Sequence, residues 1–312
     1  MPAYPVPASQ TLMLQNRTDM PYNKRMLGVV TLYQPQVDET AQNILTYIGD
    51  LDALIVWDNS PLEARLQQQL KEKLGLHWTK IVWEGNGQNR CIAPAINYAW
   101  QLACERQFDF VLIMDDDSSW TDFASFRQEV EHTASEGEVM VLTPFVEGVD
   151  AFQPSANRQP RRLFINSGTV LPTEVLSAIG GVDEEAFPLD ALDHDIALSV
   201  IEHGYKAVCL TRHRLVHKLG QPQCLGPFHL FTPNYNRFRT YQMTRSHIIC
   251  YRKHRPLMTA TDRDYLLQEI IRRKFVRILL AEPDKLGRML ALIRGIVHGC
   301  RYKIRKTANA TT

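Results

Sequence analysis

Three consecutive aspartates, Asp115, Asp116 and Asp117, directly follow an apolar segment, residues 110–114. Such a segment is typical of a buried parallel strand, and ligands of open α/β sheets bind at the carboxyl ends of these strands. The adjacent negative charges destabilise the fold unless a cation neutralises them. Because alternate residues of an extended segment face the same side, Asp115 and Asp117 can share one ion. Carboxylate oxygens favour Mg²⁺ or Mn²⁺, typically shared with a substrate phosphate, and a solvated acidic turn is the alternative interpretation.

A second group of acids, Asp190, Asp193 and Asp195, lies at the start of a predicted helix, residues 196–202. One carboxylate there can cap the helix, because unpaired backbone N–H groups and the helix dipole favour negative charge. Three acids within six residues exceed what one cap needs, and a carboxylate here could deprotonate an acceptor hydroxyl. A single histidine such as His217 is usually structural or surface-exposed, but in a chain that already requires a cation it is a candidate nitrogen ligand.

The composition is that of a globular chain of 312 residues, with 45% hydrophobic residues and a formal net charge of +1. A nearly neutral chain is not expected to bind nucleic acid through its overall charge. The six cysteines form no C-x-x-C pair, which argues against a zinc site or a disulfide framework and favours a reducing cytosol. No apolar run approaches the roughly 18 residues of a membrane span. The first 24 residues, polar and with four prolines, are expected to be a loose tail and not a signal peptide.

Strands and helices alternate along the first part of the chain, which predicts βαβ units and a mainly parallel central sheet flanked by helices. The predicted strands are residues 26–32, 53–57, 81–83, 110–114, 138–142 and 164–171. The predicted helices are residues 62–74, a segment opened by Pro94, and residues 196–202. Gly180 and Gly181 indicate a tight turn, and from about Asn236 the pattern changes to basic and aromatic helix.

Several segments, in chain order, resemble the motifs of one known family. They are Val30-Thr31-Leu32-Tyr33-Gln34-Pro35 (compare V-T-Y-N-P), Asp58-Asn59-Ser60 (D-N-x-S), residues 89–97 (N-x-G-I-A-x-A-x-N), Asp115-Asp116-Asp117-Ser118 (D-x-D-S), Ile165-Asn166-Ser167-Gly168 (I-N-S-G), residues 180–184 with Phe187 (G-G-F-D-E and F), residues 190–195 (D-x-x-D-x-D/E), residues 217–220 (H-x-L-G) and residues 239–246 (R-x-Y-x-x-x-R-N). The ordered set resembles the inverting GT-A glycosyltransferases of glycosyltransferase family 2, which include bacterial rhamnosyltransferases. The likeness covers roughly residues 26–255.

The resemblance implies the GT-A nucleotide-diphospho-sugar transferase fold and a role for individual residues. By this resemblance the donor would be bound by Thr31, Tyr33, Asp58, Asn89, Asp115 and Asp116, and the divalent metal, Mn²⁺ or Mg²⁺, by Asp117 and His217. The catalytic pair would be Asp193, the general base, and Asp195, and the acceptor side would include Asn166, Asp190, Arg239 and Arg245. The implied reaction moves a sugar, with L-rhamnose from dTDP-rhamnose as first choice, to a hydroxyl of a growing surface polysaccharide or lipid-linked glycan.

The chain departs from the family pattern at three positions of the motifs. Cys91 stands where the family has glycine, Leu32 separates Thr31 from the aromatic residue that usually follows it, and Ser246 replaces the usual asparagine. These departures affect the shape of the donor pocket and leave the acidic groups intact.

Three alternatives to this function remain open. The same fold could use a UDP-sugar donor such as UDP-galactofuranose. A nucleotidyltransferase also places acids and a metal at a strand end, but it ordinarily has a Gly-rich basic loop after the first strand, and residues 31–40 contain no glycine, lysine or arginine. A non-catalytic sugar-nucleotide-binding module would not need Asp115, Asp117, Asp193 and His217 together.

The predicted organisation is a loose tail (residues 1–24), a catalytic domain (25–235) and a helical basic C-terminal region (236–312). Residues 271–306 hold eleven Lys or Arg against only Glu282 and Asp284, with apolar residues interleaved. This pattern is typical of a segment lying in the interface of an anionic membrane, and a helix packed on the catalytic domain with a solvated basic face is the alternative. We therefore expect a cytoplasmic protein, peripheral at the inner face of the membrane, and the sequence leaves a homo-oligomer open.

Overall fold

The computed structural model describes residues 23–61, 64–150, 152–218, 223–227 and 229–304. The predicted N-terminal tail therefore lies outside the described residues, apart from Asn23 and Lys24. The chain divides into two compact units, one comprising Met1–Gly181 and Val200–Lys218 and the other Val182–Ser199 and Leu219–Thr312. The domain boundaries expected from the sequence, after residues 24 and 235, stay predictions.

The first unit is built around a sheet to which nine of the described strands belong. They are β1 (Met26–Leu32), β2 (Ala53–Asp58), β3 (Ile81–Gly85), β4 (Phe110–Asp115), β5 (Ser118–Trp120), β6 (Met140–Glu147), β7 (Arg158–Arg161), β8 (Thr169–Pro172) and β9 (Lys206–His217). The helices of this unit are α1 (Val37–Leu45), α2 (Ala64–Leu74), α3 (Ala93–Arg106), α4 (Phe123–Ser135) and α5 (Thr173–Ile179). Short 3₁₀ turns cover Ile48–Asp50 and Gly75–Lys80.

The sheet has the order β3-β2-β1-β4-β8-β6-β9-β5, with β7 paired to β9. Strands β3, β2, β1 and β4 are parallel, as are β6 and β9, whereas β4–β8, β8–β6, β9–β5 and β7–β9 are antiparallel. In the parallel part Leu32 pairs with Asp58 and Thr31 pairs with Asp115. The carboxyl ends of β1, β2 and β4 therefore lie level, and they bring Thr31, Asp58 and Asp115 to one edge of the sheet.

The central strands are apolar along their whole length because both faces of the sheet are covered. Leu27, Val30 and Leu112 are fully buried. Side chains of α1, α2 and α4, such as Ile44 and Leu70, join those of the strands in one hydrophobic cluster. This packing fixes the strand ends at which the acids lie.

Most of the predicted elements are confirmed. Strands 26–32, 53–57, 81–83 and 110–114 are present with ends shifted by two residues at most, and helix 62–74 is present as α2, its first two residues lying outside the described ones. The strand predicted at 138–142 instead runs over Met140–Glu147. Pro94 lies in the first turn of α3, and Gly180 and Gly181 form the predicted turn, both with positive φ.

The strand predicted over residues 164–171 is wrong in its first half, because only Thr169–Pro172 is extended. Residues 166–169 form a turn in which the Thr169 amide donates to the carbonyl of Asn166. Gly168 lies there at φ 78°, and a Cβ at this position would be 2.8 Å from Pro144 Cγ. The turn therefore needs glycine, and it ends the apolar run that the sequence suggested to be one strand.

The second unit contains a short antiparallel pair, β10 (Gln223–Leu225) with β11 (Leu230–Thr232), and then helices. The helices are α7 (Arg237–Lys253), α8 (Ala260–Tyr265), a π-helical segment (Leu266–Arg273), α9 (Lys274–Leu280) and α10 (Lys285–Arg301), with a 3₁₀ turn at Arg255–Leu257. The division between the units falls inside the remaining helix, α6 (Leu192–Glu202). The helical character predicted from Asn236 onwards is confirmed, and none of the described helices is long and apolar enough to cross a membrane.

Helix α10 lies against α7 through glycines. A Cβ at Gly295 would lie 2.9 Å from the Tyr241 carbonyl oxygen, and one at Gly299 would lie 2.9 Å from the Arg245 carbonyl oxygen. Contacts this short leave no room for a side chain, so the two helix backbones approach closely. The face of α10 that carries these glycines is thus its packed face.

Candidate functional site

The sheet edge of the first unit brings together the three residues that the sequence suggested as metal ligands. Asp115 ends β4, Asp117 lies in the turn that follows, and His217 ends β9. One possible ligand atom from each of the three lies within 4.8 Å of the others. The antiparallel pairing of β5 with β9 places Ser118 opposite His217 and so carries the histidine to the acids across a long sequence separation. Two carboxylates and an imidazole form a donor set that suits Mn²⁺ or Mg²⁺.

A network of serine hydroxyls holds these ligands. The Ser118 hydroxyl lies 2.7 Å from His217 Nδ1. The Ser118 hydroxyl also accepts a hydrogen bond from the Ser167 hydroxyl at 2.8 Å. The backbone amide of Asp115 in turn donates to the Ser167 hydroxyl at 3.2 Å. Ser118 and Ser167 are both buried. Such partners orient metal ligands, and sequence analysis assigned no role to either serine, although both belong to quoted motifs.

The electrostatics at this edge favour binding of a cation. Burial, and then the charges of Asp117 and Asp115, raise the pKa of Asp116 to about 7. The pKa of His217 is raised, chiefly by its hydrogen bond with Asp117, whose Oδ1 lies 3.1 Å from Nδ1. The two shifts differ in their main cause, but the negative charges of Asp115 and Asp117 contribute to both. A divalent cation would supply the missing positive charge.

Three of the residues expected to bind the donor, Thr31, Tyr33 and Asp58, lie at or just beyond the carboxyl ends of β1 and β2. Tyr33 is more than half exposed after β1, and its backbone N–H donates to the Asp116 carboxylate. Asp58 Oδ1 accepts a hydrogen bond from the backbone amide of Ser60 at 2.8 Å. The Ser60 hydroxyl accepts one from the backbone amide of Gln34. These contacts link the two loops. The third residue, Thr31, is level with Asp115 in the sheet register.

Asn59 connects the end of β2 to the loop that contains Asn89, and sequence analysis did not assign it to the site. Its Nδ2 donates to the Cys91 carbonyl at 2.8 Å, and its Oδ1 accepts from the Arg90 amide at 3.0 Å. Asn89 Oδ1 accepts from the Cys91 amide at 2.9 Å. Cys91 has φ 64°, which explains why the family pattern has glycine at this position. The departure noted at Cys91 thus leaves the turn intact.

The second unit contains Asp193 and Asp195, and the two side chains differ in burial and in hydrogen-bond partners. Asp195 is almost fully buried, with Oδ1 2.8 Å from Lys253 Nζ and 2.8 Å from His254 Nε2. Asp193 is only partly buried, and its Oδ1 accepts from the His194 amide at 2.9 Å. Of the two acids expected to be catalytic, Asp195 is therefore engaged in a buried ion pair, and Asp193 is the one accessible to solvent. Lys253 and His254 gave no signal in the sequence.

Asp190 and Arg239, expected on the acceptor side, form a weak pair. Arg239 Nη2 lies 3.5 Å from Asp190 Oδ1. Burial raises the pKa of Asp190 to about 6, against the opposing effect of Arg239. Asp190 Oδ2 is buried and has no hydrogen-bond partner among the described residues. A buried acceptor without a donor is costly, so this cluster is suited to a polar ligand.

Arg245 and Asn166, the other two residues expected on the acceptor side, have separate positions. Arg245 is buried in the second unit, where Nη1 donates to the Glu185 carbonyl at 2.6 Å and the guanidinium lies over the Tyr302 ring. It supports the segment before Asp190. Asn166 lies in the turn before β8 in the first unit, and its Oδ1 is buried with no partner among the described residues.

Comparison with known proteins places these features in context. No protein-family profile matches the sequence. The chain is similar to dTDP-rhamnosyl transferase RfbF of Shigella flexneri, with 21% identity over 311 residues, which are 90% of this chain and 99% of that protein.

Two solved glycosyltransferase structures share the fold. Mannosyltransferase PcManGT from Pyrobaculum calidifontis, in complex with GDP-Man and Mn²⁺, matches with a TM-score of 0.56 and 16% identity, covering 91% of this chain and 78% of its own. S. aureus TarS 1–349 in complex with UDP-GlcNAc matches with a TM-score of 0.52 and 14% identity, covering 89% and 81%. These likenesses confirm the predicted GT-A fold class, and the sequence relative and both structures are glycosyltransferases, as the motifs led us to expect.

Proposed function

We propose that this protein is a metal-assisted, inverting glycosyltransferase of the cytoplasm, which transfers L-rhamnose from dTDP-rhamnose to a hydroxyl of a growing surface polysaccharide or lipid-linked glycan. The observation that carries the proposal is the group formed by Asp115, Asp117 and His217 at the carboxyl edge of the sheet. The choice of dTDP-rhamnose rests on the similarity to RfbF along nine-tenths of the chain. The Mn²⁺ in the PcManGT complex supports a divalent cation.

The cation would be held by Asp117 and His217, with Asp115 close by. When bound, a divalent cation offsets the charge that develops on a departing nucleoside diphosphate. Ser118 and Ser167 would keep the ligands in place through the hydrogen bonds described above. The closeness of Asp115, Asp117 and His217 supports this assignment, because a cation would offset the mutual repulsion of the two carboxylates.

The nucleoside part of the donor would lie over the loops after β1 and β2. The exposed ring of Tyr33 can stack on a base, and Asp58 can accept hydrogen bonds from the base or ribose. Thr31 and Asn89 would complete this pocket, and Asp115 would approach the sugar-nucleotide from the end of β4. Because the Asn59 contacts fix the loop of Asn89 against β2, that loop is preorganised for a ligand.

The acceptor would be activated by Asp193 as general base. The base takes the proton of the acceptor hydroxyl while that oxygen attacks the anomeric carbon from the face opposite the leaving diphosphate, and the configuration inverts. Asp190 and Arg239 would bind the acceptor glycan through their polar groups, and the role expected of Asn166 on the acceptor side stays a prediction. Asp195 and Arg245 would position this cluster, since both are engaged in buried contacts of their own.

A donor screen by thermal shift tests the proposal. Purified protein would be heated with Mn²⁺ and, separately, dTDP-rhamnose, UDP-galactofuranose, UDP-GlcNAc and GDP-mannose, because a ligand that binds only the folded state raises the melting temperature. We expect dTDP-rhamnose to give the largest increase, and chelator to remove it. A larger increase with UDP-galactofuranose would assign the alternative donor, and no increase with any sugar nucleotide would contradict the proposal. Hydrolysis of the stabilising donor without acceptor would separate an enzyme from a binding module.

A further inference from the structure

Helix α10 buries Leu292, Gly295 and Gly299 against its own unit but leaves a second set of apolar side chains exposed, whereas an ordinary amphipathic surface helix exposes its polar residues. Leu286, Leu290, Ile293 and Val297 are 76%, 47%, 49% and 37% exposed. Their spacing of four, three and four residues places them in one line along the helix. Gly295 and Gly299, on the opposite side, make the contacts with α7. We call this line of four residues the apolar stripe. Its side chains remain exposed, so packing against the helices of its own unit does not explain why they are apolar.

The exposed charged side chains of residues 285–304 are all positive. Residues 285–304 contain five Lys or Arg and no Asp or Glu. Lys285, Arg294, Arg301 and Lys303 are exposed, and at about 100° per residue Arg294 and Arg301 flank the stripe on one side. Long basic side chains beside an apolar line can reach anionic groups while the line enters an apolar phase.

The two acids of this region are already paired. Glu282 is fully buried and accepts from Lys274 Nζ at 3.0 Å and from Arg288 Nη1 at 2.9 Å. Asp284 forms an ion pair with Arg237. Since their negative charge is satisfied locally, the surface around the apolar stripe presents net positive charge to a partner. The adjacent helix α9 adds three further exposed apolar side chains, Phe275, Val276 and Leu279.

We propose that the apolar stripe and its flanking cations dock the protein on an anionic lipid bilayer, with α10 lying in the plane of the headgroups. Helices that combine an apolar line with basic flanks bind in this way, with strength set by buried apolar area and by attraction to anionic lipid. A second copy of the chain is a poorer partner, because two such surfaces would bring their cations together. A nucleic acid would leave the aliphatic stripe without a function. This inference goes beyond the proposed transfer reaction, and its test does not depend on activity.

The test is co-sedimentation of the full chain with vesicles of phosphatidylcholine containing about one-third phosphatidylglycerol, and with vesicles of phosphatidylcholine only. The wild type is expected to sediment with the anionic vesicles, and less so as salt is added. The double variant Leu290→Gln, Ile293→Gln changes no charge and is expected to lower the partition coefficient roughly tenfold or more. Arg294→Gln with Arg301→Gln is expected to lower the partition coefficient about thirtyfold for the anionic vesicles alone.

Leu76→Gln is the matched control, because Leu76 is an exposed leucine of the first unit, 92% accessible, and its loss should leave vesicle binding unchanged. Circular dichroism confirms that each variant is folded. Equal binding by the wild type and the Leu290→Gln, Ile293→Gln variant, or no binding of the wild type to anionic vesicles, would overturn the proposal. Analytical ultracentrifugation gives a further outcome against it, namely a wild-type dimer that the stripe variant converts to a monomer without any vesicle binding.

Discussion

Asp117 is the residue on which the metal assignment depends most. Its carboxylate lies at the ligand group with His217 and Asp115, and its side chain is not needed to fill the core. We expect Asp117→Ala to fold, to lose Mn²⁺-dependent transfer, and to show no increase in melting temperature when Mn²⁺ and a donor are added. Scanning fluorimetry with and without chelator measures this. Full activity of the variant, or of the wild type in excess chelator, would remove the metal from the mechanism.

Asp116 gives a pH-dependent prediction. Its carboxyl has a pKa of about 7 in the folded protein and about 4 when unfolded. Between these values the folded state holds a proton that the unfolded state releases, so the free energy of unfolding falls as the pH rises. Asp116→Asn is therefore expected to stabilise the metal-free protein by roughly 1–3 kcal/mol near pH 8, with a smaller gain towards pH 4. Urea unfolding in chelator at both pH values tests this, and an equal gain at both would contradict it.

Asp193 and Asp195 differ in surroundings, and their amide variants should differ in effect. Asp193→Asn is expected to keep donor affinity, measured by calorimetry, while transfer falls by about 10²–10⁴-fold, the typical contribution of a general base. Its side chain is partly exposed and accepts from the His194 amide, so the fold should tolerate the change. Transfer near the wild-type rate in Asp193→Asn, together with a folded but inactive Asp195→Asn, would show that Asp195 is the base.

At the scale of elements, the buried pair of Asp195 with Lys253 and His254 joins the first turn of α6 to the end of α7. Asp195→Asn would leave the Lys253 ammonium with a weaker partner in a buried place, and we expect it to destabilise the protein by roughly 2–4 kcal/mol. The control is Glu39→Gln, which removes the partner of Lys218 in an exposed pair and should cost less than about 1 kcal/mol. Denaturant unfolding compares the free energies of unfolding of the two variants. Equal losses would mean that the buried pair stabilises the protein no more than the exposed one.

The elements also show how far sequence reasoning reaches. Strands β1, β2 and β4 are continuous apolar runs ended by polar motifs, so their position and the edge they form could be predicted. Strand β9 could not, because Arg212, His213 and Arg214 interrupt its apolar residues, and its extended form depends on pairing with β5, β6 and β7. The β-propensity of individual residues is a weak guide where a strand depends on such long-range pairing.

The acidic residues of the site could be predicted from the sequence, whereas the side chains that contact them could be predicted less well. Asp115 and Asp117 follow from local pattern, but the contact of His217 with Asp117 depends on the register of β9 with β5. Ser118 and Ser167 belong to quoted motifs, but their contacts with the metal ligands depend on tertiary packing. Lys253 and His254 have no local signature, because only tertiary packing brings them to Asp195. The resemblance to a family rested on the order of several motifs along the chain, because no single motif was specific enough.

At the scale of the whole molecule, the proposed roles fall on two compact units, with the metal and donor residues in the first and Asp193 in the second. Donor binding can be tested separately from transfer in the full chain, because Asp115, Asp117 and His217 all belong to the first unit. The full chain should bind dTDP only weakly unless a divalent cation accompanies the diphosphate.

The most direct measurement is calorimetric titration of dTDP into the full chain with Mn²⁺ and with chelator, for the wild type, Asp117→Ala, His217→Ala and the control Leu76→Gln. We predict Mn²⁺-dependent binding that is roughly tenfold or more weaker in the two ligand variants and unchanged in the control. Equal dTDP affinity with Mn²⁺ and with chelator, or ligand variants that bind as the wild type does, would contradict the account.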